Sequence, residues 1–209
     1  NFGPVFNRAA LAAGHTWSDL QKFTADIADD VFVSRNLEQL RQRKVDMLFH
    51  PGTHDSVAYD LAWGGAHHQD IPVYLGANTG HGKRGHPQGE RDQQNKAAFL
   101  LKHFFPDQVQ GALLSPPGIT YSLEKRILKV QVKFPGKSTA ESGRIWWIFD
   151  RAPDGSPNYL NELIPNENVS EMRHDPKLDA WTAEIPIKSG MSRVDFFSNH
   201  RKIIRHNKE

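Results

Sequence analysis

The sequence predicts an α/β layer followed by a small all-β sandwich. Three observations carry this. Val45–Phe49 and Ile71–Leu75 are near-continuous apolar runs without polar alternation, the pattern of strands buried on both faces of a parallel sheet. Segments with helical spacing of apolar residues flank them. After residue 108 the period changes to two: Ile127, Leu128, Val130, Val132 and Phe134 interleave with Lys129, Gln131 and Lys133, as in a half-buried strand. The predicted division is therefore 1–108 for the α/β part and 109–209 for the sandwich.

Along the chain, residues 1–16 show no regular pattern. Thr16-x-x-Asp19 reads as a capping box, followed by Trp17, Leu20, Phe23 and Ile27 at helical spacing. Ser34 is placed to cap a shorter helix with Leu37 and Leu40 on one face. The strand at Val45–Phe49 ends at His50-Pro51-Gly52. Val57–Trp63 is a short helix stopped by Gly64-Gly65. After the run at Ile71–Leu75, Gly89 to Phe105 is helical, with Ala97, Ala98, Leu100, Leu101, Phe104 and Phe105 in one stripe. Phe104 and Phe105 are expected in the core. Beyond Gly111–Gly118 the strands are Arg126–Phe134, Arg144–Asp150, Trp181–Ile187 and Arg193–Ser198, separated by turns such as Ala152–Pro157. Trp147 and Trp146 face opposite sides of one strand, one for the core and one for a contact surface.

Composition excludes several classes. The 209 residues, 38% hydrophobic with five Trp and twelve Phe, suffice for real cores. A net charge of +2, from 26 basic and 24 acidic residues, gives no reason to expect nucleic acid as a partner. No apolar run approaches the ~20 residues of a membrane-spanning helix, so no membrane is expected either. There is no cysteine, hence no disulfide framework and no thiol nucleophile. Asn1 is preceded by no initiator Met, which suggests a processed or truncated chain and leaves the compartment unread.

The chemistry concentrates in Val45–Gly82. Asp55 follows the first run after a Gly-containing turn, and the Gly-flanked His81 follows the second. In an open parallel sheet such residues lie beyond the carboxyl ends of the strands, where ligands bind. An acid and an imidazole so placed are two members of an acid–base–nucleophile triad, and the glycines leave the imidazole loop free to turn sharply.

This order, acid after one strand, histidine some 25 residues later after the next, then an amphipathic helix, resembles the last two core strands of the α/β-hydrolase fold over about residues 40–106. Asp55-Ser56 and the ending Val194-Asp195-Phe196-Phe197 are loosely similar to the PhoPQ-activated pathogenicity-related hydrolases. The resemblance implies a serine hydrolase, an esterase or peptidase. His81 would act as general base and then acid, and Asp55 would orient the ring. His54 and Lys83 would line the pocket for a small-molecule or peptide ester or amide. That chemistry requires no cofactor. The sequence departs from the family in lacking Gly-x-Ser-x-Gly, as well as the earlier strands and oxyanion donors. The expectation is a C-terminal fragment or one piece of a two-chain enzyme. Its partner is a missing N-terminal hydrolase segment or companion chain that supplies the nucleophile.

Two readings compete. Six of the eleven histidines, His50, His54, His67, His68, His81 and His86, fall in one stretch and are candidate ligands of a metal-dependent hydrolase. Their spacing fits no helical ligand pair, and cleft lining is the simpler role. The other reading is a non-catalytic module in which the sandwich binds, by exposed aromatics, a carbohydrate. Lys83-Arg84 with Arg91 are charges for an anionic substrate group or a solvated face.

Overall fold

The computed structural model describes residues 4–16, 18–20, 22–23, 26, 36–54, 73–80, 87–110, 113–136, 140–150 and 163–206. They form two compact units, Asn1–Met47 and Leu48–Glu209.

In the first unit, α1 spans Pro4–Ala12. The prediction of an irregular start was wrong. Pro at the first helical position and Gly just past the end are the usual asymmetric signals. The helix ends in a Schellman closure: Gly14, at φ +93°, donates to the Leu11 carbonyl and His15 donates to that of Ala10. The capping box is present as expected. Thr16 N–H donates to Asp19 Oδ2 at 2.7 Å and Asp19 N–H to Thr16 Oγ1 at 3.2 Å. The bonds from the Thr16 N–H and the Thr16 hydroxyl hold the Asp19 carboxyl below its ordinary pKa. α2 covers Leu37–Gln42, starting from Asn36 rather than from Ser34, which lies outside the described residues.

In the second unit, α3 spans Pro87–Phe104. A 3-10 turn at Pro106–Gln108 leads into β1 (Val109–Gln110), which pairs with β9 (Arg205–His206). Between them lie β2 (Gly118–Glu124), β3 (Ile127–Lys133), β4 (Ser142–Phe149), β5 (Val169–Glu171), β6 (Arg173–Asp175), β7 (Ala180–Pro186) and β8 (Val194–Arg201). They build two antiparallel sheets, ordered β2-β3-β7-β6 and β5-β4-β8. The segment β5–β6 crosses from one sheet to the other at Met172. Its side chain is buried and its N–H donates to the Gly143 carbonyl at 2.8 Å.

Register explains the core. Leu128, Val130 and Val132 of β3 stand opposite Ile185, Ala183 and Trp181 of β7, so all six share one face. They meet Ile145 and Trp147 of β4, with Phe149, Val194 and Phe196 at the margin. Val132, Ile145 and Ile185 are fully buried; truncating either isoleucine to Ala would cost about 2–5 kcal/mol. The other face of β4 is covered too. Trp146 stacks on Phe197 at 5.2 Å and 7°, and with Ile148 it packs against Ala77 and Ile164.

The parallel α/β architecture is therefore overturned. The described sheets are antiparallel, and parallel pairing occurs among the described residues only as the isolated bridges Phe49↔Val73 and Gly52↔Gly76. The two apolar runs do align, but among the described residues they form no sheet. Val45 and Val73 are exposed, and Pro51 and Pro72 lie in or beside the runs, where they can donate no ladder bond. The strand buried on both faces is instead the antiparallel β4, whose run Ile145-Trp-Trp-Ile148 lies between two apolar layers. The expectation for α3 fails likewise. Phe104 is 72% exposed and Phe105 51%, and no parallel sheet among the described residues receives the stripe. Val57–Trp63 lies outside the described residues.

Candidate functional site

The site predicted from sequence centres on two segments, Phe49–His54 and Val73–Gly80. Backbone bonds zip them in parallel. Tyr74 N–H donates to Phe49 O at 2.8 Å, Gly76 N–H to Pro51 O at 2.9 Å, Thr53 N–H to Gly76 O at 3.0 Å and His54 N–H to Thr79 O at 2.9 Å. Gly52 is required by the closeness of this approach. A Cβ there would lie 2.6 Å from Thr79 Oγ1 and 2.7 Å from the Thr79 carbonyl carbon.

A polar knot fixes the turn. Thr53 and Thr79 are buried, and both hydroxyls are used. Thr53 Oγ1 accepts from Asn78 N–H at 2.8 Å and lies 2.7 Å from His54 Nδ1. Thr79 Oγ1 donates to Gly76 O at 2.9 Å. Asn78 adopts φ +56°, a left-handed conformation that asparagine tolerates better than most residues. Its side-chain amide clamps the backbone of Ile164: Oδ1 accepts from the N–H at 2.8 Å, and Nδ2 donates to the carbonyl at 3.3 Å. Asn199 of β8 donates to Leu75 O at 2.8 Å. The two segments are thus pinned to the outer face of the three-stranded sheet.

His54 is half-buried, with its ring held along the Thr53 hydroxyl. Its chain end sits beside Gly80; a Cβ on Gly80 would be 3.7 Å from the His54 carbonyl oxygen. The residues that follow each in sequence, Asp55 and His81, lie outside the described residues, as does Lys83. Of the histidine cluster, His50 leans on Tyr74 with ring centroids 5.3 Å apart, while His67, His68 and His86 lie outside the described residues. Among the described residues no group of three His, Asp or Glu side chains is placed to hold a metal.

Sequence reasoning missed Thr53, Asn78 and Thr79. The available signals were short polar residues next to Gly52 and Gly80, which favour local side-chain-to-backbone bonds. It also missed His200, which lies between Phe134 at 4.9 Å and Trp181 at 5.7 Å, against Gly143. His200 Nε2 is 3.1 Å from Ser198 Oγ, the spacing of a nucleophile and base. It is not such a pair. Burial pushes the imidazole pKa down to about 4, far from the value a general base needs near neutrality. Nδ1 is buried with no hydrogen-bond partner among the described residues, so no third group orients the ring.

Trp146 and Trp147, expected one in the core and one on a contact surface, are both buried, as is Trp181, which leaves none of the three as a stacking platform for a sugar ring. No described helix is long and apolar enough to cross a membrane. No family model, no curated protein and no solved structure matches the chain.

Proposed function

We propose that this chain supplies the acid and base of a hydrolase that cleaves ester or amide bonds. His81 removes the nucleophile's proton and returns it to the leaving group, and Asp55 holds the ring's tautomer and stabilises the imidazolium. A preceding segment or a companion chain supplies the nucleophile and the oxyanion donors. The observation that carries the reading is the parallel alignment of Phe49–His54 with Val73–Gly80. It ends with His54 and Gly80 side by side, the two positions from which the sequence proceeds to Asp55 and His81. The Thr53–Asn78–Thr79 knot supports it, because catalytic groups need a rigid backbone beneath them. The exposed stripe of α3, with Leu100 at 51% and Phe104 at 72%, offers apolar surface to the part that supplies the nucleophile in this reading. His54 and Lys83 are pocket residues in this reading.

The test is active-site labelling of the intact protein with a fluorophosphonate. Labelling is expected in the parent and in His68→Ala, and is lost in His81→Ala and strongly reduced in Asp55→Asn. Undiminished labelling of folded His81→Ala would refute the assignment, and so would hydrolysis that a chelator abolishes.

A further inference from the structure

The outermost strand of the four-stranded sheet, β2, is built unlike a protected edge. Soluble proteins blunt sheet edges with prolines, bulges or inward-facing charges. Gly118–Glu124 has none of these within it. It pairs without interruption to β3 over seven positions, Gly118↔Lys133 through Glu124↔Ile127, and no described strand pairs with its other side. All seven residues are exposed. Ile119, Tyr121 and Leu123 stand opposite the core residues Val132, Val130 and Leu128. Their side chains therefore continue the inner face of the sheet past the point where the second sheet ends. Tyr121 reaches only the rim, edge-on to Phe196 at 5.9 Å, and remains 68% exposed, with Leu123 at 66% and Ile119 at 48%.

We propose that β2 is a self-association edge: two copies of this chain pair β2 to β2 antiparallel about a two-fold axis at Tyr121, joining their sheets into one of eight strands. The strand is self-complementary in that register. Tyr121 meets Tyr121 of the second copy, Ile119 meets Leu123 and Thr120 meets Ser122, so apolar lies on apolar on one face and hydroxyl on hydroxyl on the other. The only charge of the strand, Glu124, falls opposite Gly118, which carries no side chain. Beyond that glycine, on the same face, stands Lys133. Two strand spacings of about 4.8 Å separate Glu124 from Lys133 of the second copy, within the combined reach of the two side chains. Glu124 already holds Lys129 of its own sheet at 2.6 Å, so it sits between two cations, one from each copy. A seven-residue strand buries an interface at the small end of the specific range, so the dimer is weak, with Kd on the order of 1–100 μM.

Sedimentation velocity of the 209-residue chain over a concentration series spanning that range tests it. A monomer–dimer equilibrium is expected. Tyr121→Lys puts two ammonium groups face to face on the axis and should weaken dimerisation at least about tenfold. Lys133→Glu should weaken it about threefold, and adding Glu124→Lys to Lys133→Glu should recover the loss. Unchanged near-UV circular dichroism certifies the folding of each variant, and the charge-swap pair stands independently if Tyr121→Lys misfolds. A chain that stays monomeric throughout, a dimer indifferent to Tyr121→Lys, or a double swap that restores nothing would each overturn the proposal.

Discussion

Lowering the pH from neutrality toward 4 should destabilise the second unit through His200. The ring is enclosed by Phe134 and Trp181 and faces Gly143. Desolvation lowers its pKa from 6.5 to about 4. The sign follows from proton counting: between those values the unfolded chain binds a proton that the folded one refuses, so stability falls as pH falls through the window. Above 6.5 the contribution is complete and flat. At about 1.36 kcal/mol per pKa unit, the interval sets an upper bound of about 3 kcal/mol. The ring is only partly enclosed, so solvent screening brings the expected loss nearer ~2 kcal/mol. Urea unfolding at half-unit steps from pH 7.5 to 4, for the parent and for His200→Phe, isolates the effect, since Phe keeps the ring volume and removes the titration. The other histidines and the carboxylates cancel in the difference. Identical pH profiles for the two proteins, or a folded-state His200 midpoint near 6.5 by proton NMR, would refute the reasoning.

Four further outcomes follow from the geometry. Gly143→Ala drives a Cβ to 2.7 Å from the His200 ring and should cost about 1–3 kcal/mol; the displaced imidazole then titrates closer to its ordinary value, read by the same NMR signal. Gly52→Ala forces its methyl group against Thr79 and should cost about 1–3 kcal/mol, with loss of hydrogen-exchange protection at the Thr53 and Gly76 amides. Asn78→Gly removes the Ile164 clamp but keeps the left-handed turn, whereas Asn78→Ala loses both; chemical denaturation should find Ala worse by about 1 kcal/mol. Asp150 accepts from Ser192 N–H, Ser192 Oγ and Arg193 N–H, and these bonds hold its carboxyl below the ordinary range. Asp150→Ala should lower the melting temperature at pH 7, and the difference from the parent should shrink as pH falls below about 3.8, where the carboxylate's contribution is lost.

The sandwich was legible where alternation met a buried partner. β3 reads directly because Lys129, Gln131 and Lys133 mark its outer face. β2 escaped notice although Ile119, Tyr121 and Leu123 alternate, since Pro116-Pro117-Gly118 reads as linker. The α/β expectation failed because a continuous apolar run marks a buried strand only where both faces are covered, and Val45 and Val73 are exposed; nor does such a run say which direction the neighbouring strands take. β4 satisfies the same rule inside an antiparallel sheet, with Trp147 on the core side and Trp146 under Ala77. Local capping was legible at Thr16 and Asp19 because it depends on four residues alone. The knot at Thr53, Asn78 and Thr79 was not, since Thr53 and Asn78 are 25 residues apart and Asn78 and Ile164 are 86 apart. The direct relation between Asp55 and His81 falls outside the described residues.

The clamp between Asn78 and Ile164, the bond from Asn199 to Leu75, and Ala77 beneath Trp146 make the candidate site a tenant of the β-sheet. A chain cut before β1 would strip the cover from Ala77 and leave the Leu75 carbonyl and the Asn78 amide without these partners. Phe49–His54 and Val73–Gly80 would lose their footing although neither had been touched. Conversely, strain placed on β4 or β8 reaches these two segments through Trp146 and Asn199. Substitutions on the outer face of β4 and β8 therefore bear on these segments from a distance.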